Sequence, residues 1–257
     1  MLSKTWKIIK IILLTFIMVF GSTSLAALAL CFFGENSITL YGEYIVLPIL
    51  YLLIYLNTKN VKQTCKFNKI NLKLALKSII IALGLAMLSS FIINFLTEIL
   101  HIESEGLTSN VTTYTKLIAS PIGLISMCII TPICEEMVCR GFLLTKLSKF
   151  LNIRTAIIIQ AMFFAFLHGN VIQFADTLIV GIVFGYVCYY TKSLFPSIIM
   201  HMTNNTLASF LNGSWFDNRN LLTFTLALLL FFIGFYTLWS VINEYKNETL
   251  KEVSQEN

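Results

Sequence analysis

The stretch LIASPIGLISMCIITPICEEMVCRG, residues 117–141, decides how the chain is read. No charged residue occurs from Leu117 to Cys134, and a run of that kind approaches the ~20 apolar residues that cross a bilayer. Glu135 and Glu136 follow at once, and Arg140 lies four residues after the second. Holding a charge at membrane depth costs about 2.5–3.5 kcal/mol on insertion scales. Either the span ends here and an amphipathic cytoplasmic helix begins, or the three charges stay inside and have a task there.

The composition of the whole chain has the same character. Of its 257 residues, 57% are hydrophobic and only 12% charged, with mean hydropathy +0.80. Soluble domains carry roughly 25% charged residues, so there is too little polar surface here for a water-facing fold. Apolar runs at about 11–33, 40–56, 74–96, 117–138, 155–169, 175–191, 194–212 and 221–242 predict an all-α polytopic membrane protein of about eight transmembrane helices. Residues 1–257 read as a single membrane domain, with a polar tail at 243–257. Lys4, Lys7 and Lys10 precede the first run, which is longer than the 7–15 apolar residues of a signal peptide and reads as a retained span. The six cysteines have no CxxC and no disulfide spacing, and most sit in apolar runs as small hydrophobes.

Loop charges set the orientation. Lys4, Lys7, Lys10, Lys59, Lys62, Lys66, Lys69, Lys73, Lys77, Lys146, Lys149, Arg154, Lys192, Lys246 and Lys251 fall on one side of eight alternating spans. Only Lys116 and Arg219 fall on the other, together with Glu98, Glu103 and Glu105. Basic residues gather on the cytoplasmic side, so both termini are expected in the cytoplasm and the chain in the plasma membrane. The net charge of +5 is accounted for by these loops. Without aromatic–basic interleaving or a known module, nucleic-acid binding is excluded.

Three polar clusters interrupt the apolar pattern between residues 135 and 205. Glu136 and Arg140 are four apart and share a helical face; a bidentate guanidinium would hold Glu136 ionised. Glu135 points about 100° away and stays free to act as a base. His168 ends an aromatic run, Phe163-Phe164-Ala165-Phe166-Leu167-His168; such a histidine is often only a packing residue. His201 and Asn205, again four apart, offer two donors on one face or serve as interhelical glue. Gly181-x-x-x-Gly185 is read as close helix packing, and Glu43, Lys77 and Lys10 as structural charges that reach the interface. On straight spans His168 lies deeper than Glu135 or His201, unless Pro132 kinks the helix of Glu135 or the fifth span has other boundaries.

Glu-Glu-x-x-x-Arg at Glu135–Arg140, Phe-x-x-x-His at Phe164–His168 and His-x-x-x-Asn at His201–Asn205 occur in that order. The segment, about 117–212, resembles the type II CAAX prenyl endopeptidases and bacteriocin-processing membrane proteases, the CPBP or Abi family. The resemblance implies an all-helical intramembrane endopeptidase in which Glu135 and His168 activate water. His201 and Asn205 would stabilise the oxyanion, and Glu136 with Arg140 would orient the site. Peptide hydrolysis needs these parts: a base, donors for the oxyanion and a proton for the leaving amine.

Metal-free glutamate catalysis is favoured, so no cofactor is expected. The alternative is zinc held by Glu135, His168 and His201 with a fourth position open. Expected partners are a membrane-associated peptide or protein substrate, the lipid bilayer, and a membrane sensor or transporter. Two other functions fit the same residues. One is a non-catalytic bacteriocin-immunity or regulatory scaffold. The other is a proton-coupled transporter, which would show internal repeats or paired broken helices; the sequence has none.

Overall fold

The computed structural model describes residues 3–31, 35–99, 101, 119–169, 171–211 and 221–255. Glu103, Glu105, Lys116, Arg219 and the first residues of the fourth apolar run lie outside them. Over the described residues each expected run forms a helix: α1 Lys4–Leu30, α2 Glu35–Thr58, α4 Leu72–Ile99, α5 Pro121–Leu147, α6 Ile153–Phe166, α7 Val171–Tyr190, α8 Phe195–Leu211 and α9 Leu221–Gln255, with a one-turn α3 at Val61–Thr64. Among the described residues, six helices are long and apolar enough to cross a membrane. The expected eight therefore become six long helices and two shorter ones. The 14 residues of α6 span only ~21 Å, short of the ~30 Å hydrocarbon layer. Helix α9 has 35 residues and carries the polar tail as a continuous helix to Gln255.

The chain folds around α5. In this helix 56% of the apolar window is buried, against 17–39% in the other five long helices. Ser120 starts it by accepting from Gly123 N at 3.0 Å, ahead of Pro121 in its first turn. The sequence reading ended this span at 138, but the helix runs on to Leu147. That extension keeps Arg140 inside the protein, where it is 0% exposed, and excludes an amphipathic surface helix at this point. Two stretches of α5, Ser126–Ile130 and Met137–Leu144, are π-helical. Such wider turns are rare and frequently mark functional sites.

Pro132 is the physical cause of the first. It has no N–H, and its ring obstructs the carbonyl of residue i−4. The turn before it widens, and Thr131 N donates to Ser126 O, five residues back. The next bond in that register would run from residue 132 to Met127 O. Proline cannot donate it, so Asn205 Nδ2 of α8 does, at 2.9 Å. The kink expected at Pro132 is thus a local widening that ties α5 to α8.

Around α5, α1 packs on α2, α6 on α7, and α4 on α7, α8 and α9. Helices α4 and α9 meet backbone to backbone: a Cβ on Gly84 would stand 2.8 Å from Gly234 Cα, and one on Gly234 2.7 Å from Gly84 Cα. Lys77 does not snorkel freely. Its Nζ lies 2.6 Å from Glu244 Oε2 of α9 and 3.4 Å from Ser240 Oγ. Gly181 and Gly185 pack on α6 as expected, since added Cβ atoms would lie 3.1 Å from Ala161 Cβ and 2.8 Å from Gln160 Nε2.

Candidate active site

Four helices bring the polar clusters together. Glu135, Glu136 and Arg140 come from α5, Phe164 from α6 with His168 in the turn after it, Gly181 and Phe184 from α7, and His201 and Asn205 from α8. The two adjacent glutamates have separate surroundings. Glu136 is fully buried, whereas the Glu135 side chain is 31% exposed. Their ~100° offset on the helix turns one into the protein and leaves the other at an open face.

Glu136 Oε1 is the hub. It accepts from Arg140 Nη1 at 2.8 Å and meets His201 Nδ1 at 2.9 Å. The expected bidentate pair is not formed. Arg140 Nη2 lies instead 3.5 Å from Gly181 O, so the guanidinium divides its donors between a carboxylate and a carbonyl. Gln160 Nε2 donates to the same carbonyl at 2.9 Å. Two rings cover the cation, Phe164 with its centroid 4.3 Å from Arg140 Cζ and Phe184 at 5.3 Å. Stacking of this kind suits a buried guanidinium. Glu136 Oε2 and Arg140 Nε are buried without a hydrogen-bond partner in the described set.

The ring of His201 is oriented by this hub. A carboxylate oxygen only accepts, so Nδ1 carries the hydrogen. The opposite nitrogen, Nε2, faces Glu135 Oε2 at 3.5 Å. Glu135 and His201 meet at the open edge of an otherwise buried network.

His168 is held in another way. Its Nδ1 lies 3.0 Å from Phe164 O; a carbonyl only accepts, so Nδ1 donates the hydrogen of this bond. The Phe164 ring stands edge-on to His168 at 4.8 Å and to His201 at 5.8 Å. The motif phenylalanine is thus the spacer between the two imidazoles. Because α6 is short and Phe164 bridges, the depth mismatch expected for straight spans does not separate the clusters. Asn205 gives one Nδ2 hydrogen to Met127 O and has a second.

Several members were not singled out from the sequence. Glu43 of α2, expected to reach the interface, turns inward instead: its carboxyl interacts with the Cys134 thiol by hydrogen bonding and with the Glu135 charge. Asp176 of α7 accepts from Ser89 of α4 and acts electrostatically on His168. Helical spacing relates residues within one helix, and these contacts cross between helices. Phe184 and Gln160 were missed for the same reason, and Gly181, expected only as a packing residue, also offers its carbonyl to Arg140 and Gln160. Among the described residues no three His, Cys, Asp or Glu side chains gather into a set that could hold a metal ion; of the expected zinc ligands, Glu135 and His201 face each other at 3.5 Å.

Residues 117–207 match the family model described as Rce1-like: Type II CAAX prenyl endopeptidase Rce1-like. The matched segment holds all three motifs and leaves out α1 to α4 and α9. Neither the curated proteins nor the solved structures include a match to this chain.

Proposed function

From the Rce1-like domain at residues 117–207, we propose that this multi-pass membrane protein is an endopeptidase that hydrolyses a peptide bond of a membrane-associated substrate with Glu135 as general base. The observation that carries the reading is the connected chain Arg140–Glu136–His201–Glu135, in which only Glu135 is open to a substrate. A carboxylate buried with a guanidinium serves to fix a neighbour, and here that neighbour is His201. A carboxylate left at the mouth of the same network is placed to take a proton from water.

The roles follow from the donors and acceptors. Water gives one proton to Glu135, assisted by the His168 Nε2 lone pair, and its oxygen adds to the scissile carbonyl. His201, carrying Nδ1–H on Glu136, can hold a second proton on Nε2 and direct it at the developing oxyanion. The free hydrogen of Asn205 Nδ2 is the second donor of that hole, of the kind that contributes a large share of acyl-transfer catalysis. Collapse of the tetrahedral adduct breaks the C–N bond, and the proton taken from water goes to the leaving amine. No step requires a covalent enzyme intermediate or a metal ion. The asymmetry of basic loops supports a plasma-membrane location with both termini in the cytoplasm. Substrates would be peptide precursors, C-terminally prenylated peptides or a membrane partner such as a sensor or transporter.

The test uses purified full-length protein in lipid vesicles, incubated with membrane-associated peptides of these classes and read by mass spectrometry of the products, with and without chelator. Cleavage that resists chelation is the expected result. Cleavage lost on chelation and restored by zinc would replace this mechanism with a metal-assisted one. Absence of cleavage, with immunity or partner binding surviving both Glu135→Ala and His168→Ala at normal expression, would assign the chain to a non-catalytic scaffold.

A further inference from the structure

Proline weakens a helix interior, because it lacks an N–H and its ring obstructs the carbonyl four residues back. Pro132 nevertheless stands buried in the middle of α5, on the turn before Glu135 and Glu136. In the wide turn Ser126–Ile130 ahead of it, Thr131 N donates to Ser126 O. The next carbonyl, Met127 O, is left facing a residue that cannot donate, and Asn205 Nδ2 reaches it from α8 at 2.9 Å.

A second tether lies one turn further along α8. Ser209 Oγ donates to Asn205 O at 2.8 Å and lies 3.7 Å from Cys128 Sγ. Side chains four apart on α8 thus meet consecutive residues of the same wide turn. The consequence for the carboxamide follows from its shape. It is planar, with two hydrogens on Nδ2, so holding one on Met127 O sets the direction of the other. Asn205 shares a face of α8 with His201, one turn away, and His201 is itself held by Glu136 at 2.9 Å. Both donors of the oxyanion hole are therefore fixed from α5, His201 by a carboxylate and Asn205 by a carbonyl that a proline leaves without a partner in its own helix.

We propose that Pro132 is the positioning residue of Asn205: by withholding an N–H from Met127 O, it reserves that carbonyl for the carboxamide and so aims the remaining Nδ2 hydrogen at the oxyanion. The inference rests on the hydrolase reading and gives a helix-weakening residue a task beside the glutamate pair. Pro132 touches no substrate and exchanges no proton. Any other residue at 132 brings back the donor, Met127 O is then satisfied within α5, and Asn205 loses the acceptor that holds it. The helix gains a hydrogen bond while the site loses an oriented donor, so stability and activity should move in opposite directions.

The experiment compares Pro132→Ala, Pro132→Val, Asn205→Ala and Pro132→Ala combined with Asn205→Ala, each full-length in lipid vesicles, for kcat, KM and thermal stability. Loss of one oxyanion donor costs about 10²–10³ in kcat, the effect expected for Asn205→Ala. Both Pro132 variants should lose about tenfold in kcat, since a donor free to turn keeps part of that effect. Their KM should stay close to wild type, and their melting temperatures should equal or exceed it. Valine nearly restores the volume of proline and alanine does not, so equal losses assign the effect to the restored N–H. In the Asn205→Ala background, Pro132→Ala should cost no further activity. Wild-type kcat in both Pro132 variants would overturn the proposal, as would a loss confined to alanine or an equal loss in both backgrounds. Failure of both variants to accumulate would make Pro132 a folding residue and overturn it too. Active wild type with unaffected Pro132 variants removes only this inference, whereas inactive wild type removes it together with the hydrolase reading.

Discussion

Glu135→Gln should lower peptide hydrolysis about a thousandfold, within the range for losing a general base, while leaving the melting temperature of the protein within a few degrees of wild type. Glu136→Gln, one residue away, should lower both. The difference follows from their surroundings. Glu135 stands 31% exposed with one long contact to His201, so an amide there strands no buried partner. Glu136 is 0% exposed and receives Arg140 and His201 on a single oxygen. An amide at 136 has half the accepting capacity and no charge, and it leaves a guanidinium buried under two phenyl rings without its counter-ion. Activity assays paired with thermal unfolding in detergent would check this. Equal losses of stability in both variants would mean that the two glutamates are both structural.

The second large effect is expected at Arg140. Replacing it with Met keeps most of the volume between Phe164 and Phe184 but leaves Glu136 buried with only His201. Breaking one side of a buried ion pair costs about 3–5 kcal/mol, whereas replacing both partners by apolar groups is often neutral or stabilising. Arg140→Met should therefore be strongly destabilised, and Glu136→Leu with Arg140→Met should recover most of the loss while remaining inactive. Unfolding in mixed micelles, followed by circular dichroism, measures the contrast. A double variant no more stable than the single one would show that the pair is needed for folding itself, not only for orienting His201.

The sequence was most legible where one helix carried the whole signal. Uncharged runs gave the helices, since an apolar stretch in a bilayer must satisfy its backbone internally. The four-residue spacing of Glu136 and Arg140 gave their contact, and the helical offset of Glu135 gave its separate environment. What stayed hidden depended on partners distant in sequence. Pro132 announces a missing donor, but only the fold shows that Asn205 supplies the hydrogen bond to Met127 O. Asp176 lies at the edge of an apolar run, where nothing local reveals its hydrogen bond with Ser89 of α4. The guanidinium fork of Arg140 is divided because Gly181 exposes a carbonyl beside it, a consequence of close α6–α7 packing that a Gly-x-x-x-Gly spacing indicates only in outline. The fourth apolar run reads as ending at 138 because charges ordinarily mark a membrane boundary. Here they are paired and buried, and the helix continues through them to Leu147.

The central claim is that Glu135 on α5 and His201 on α8 act as one unit on one substrate. A double-mutant cycle in kcat/KM, with Glu135→Gln, His201→Gln and both together in lipid vesicles, tests it most directly. Groups that act as a unit give strongly non-additive losses, so the double variant should be little worse than the poorer single one. Losses that multiply would contradict a shared centre, and a His201→Gln enzyme with wild-type kcat/KM would remove His201 from the chemistry.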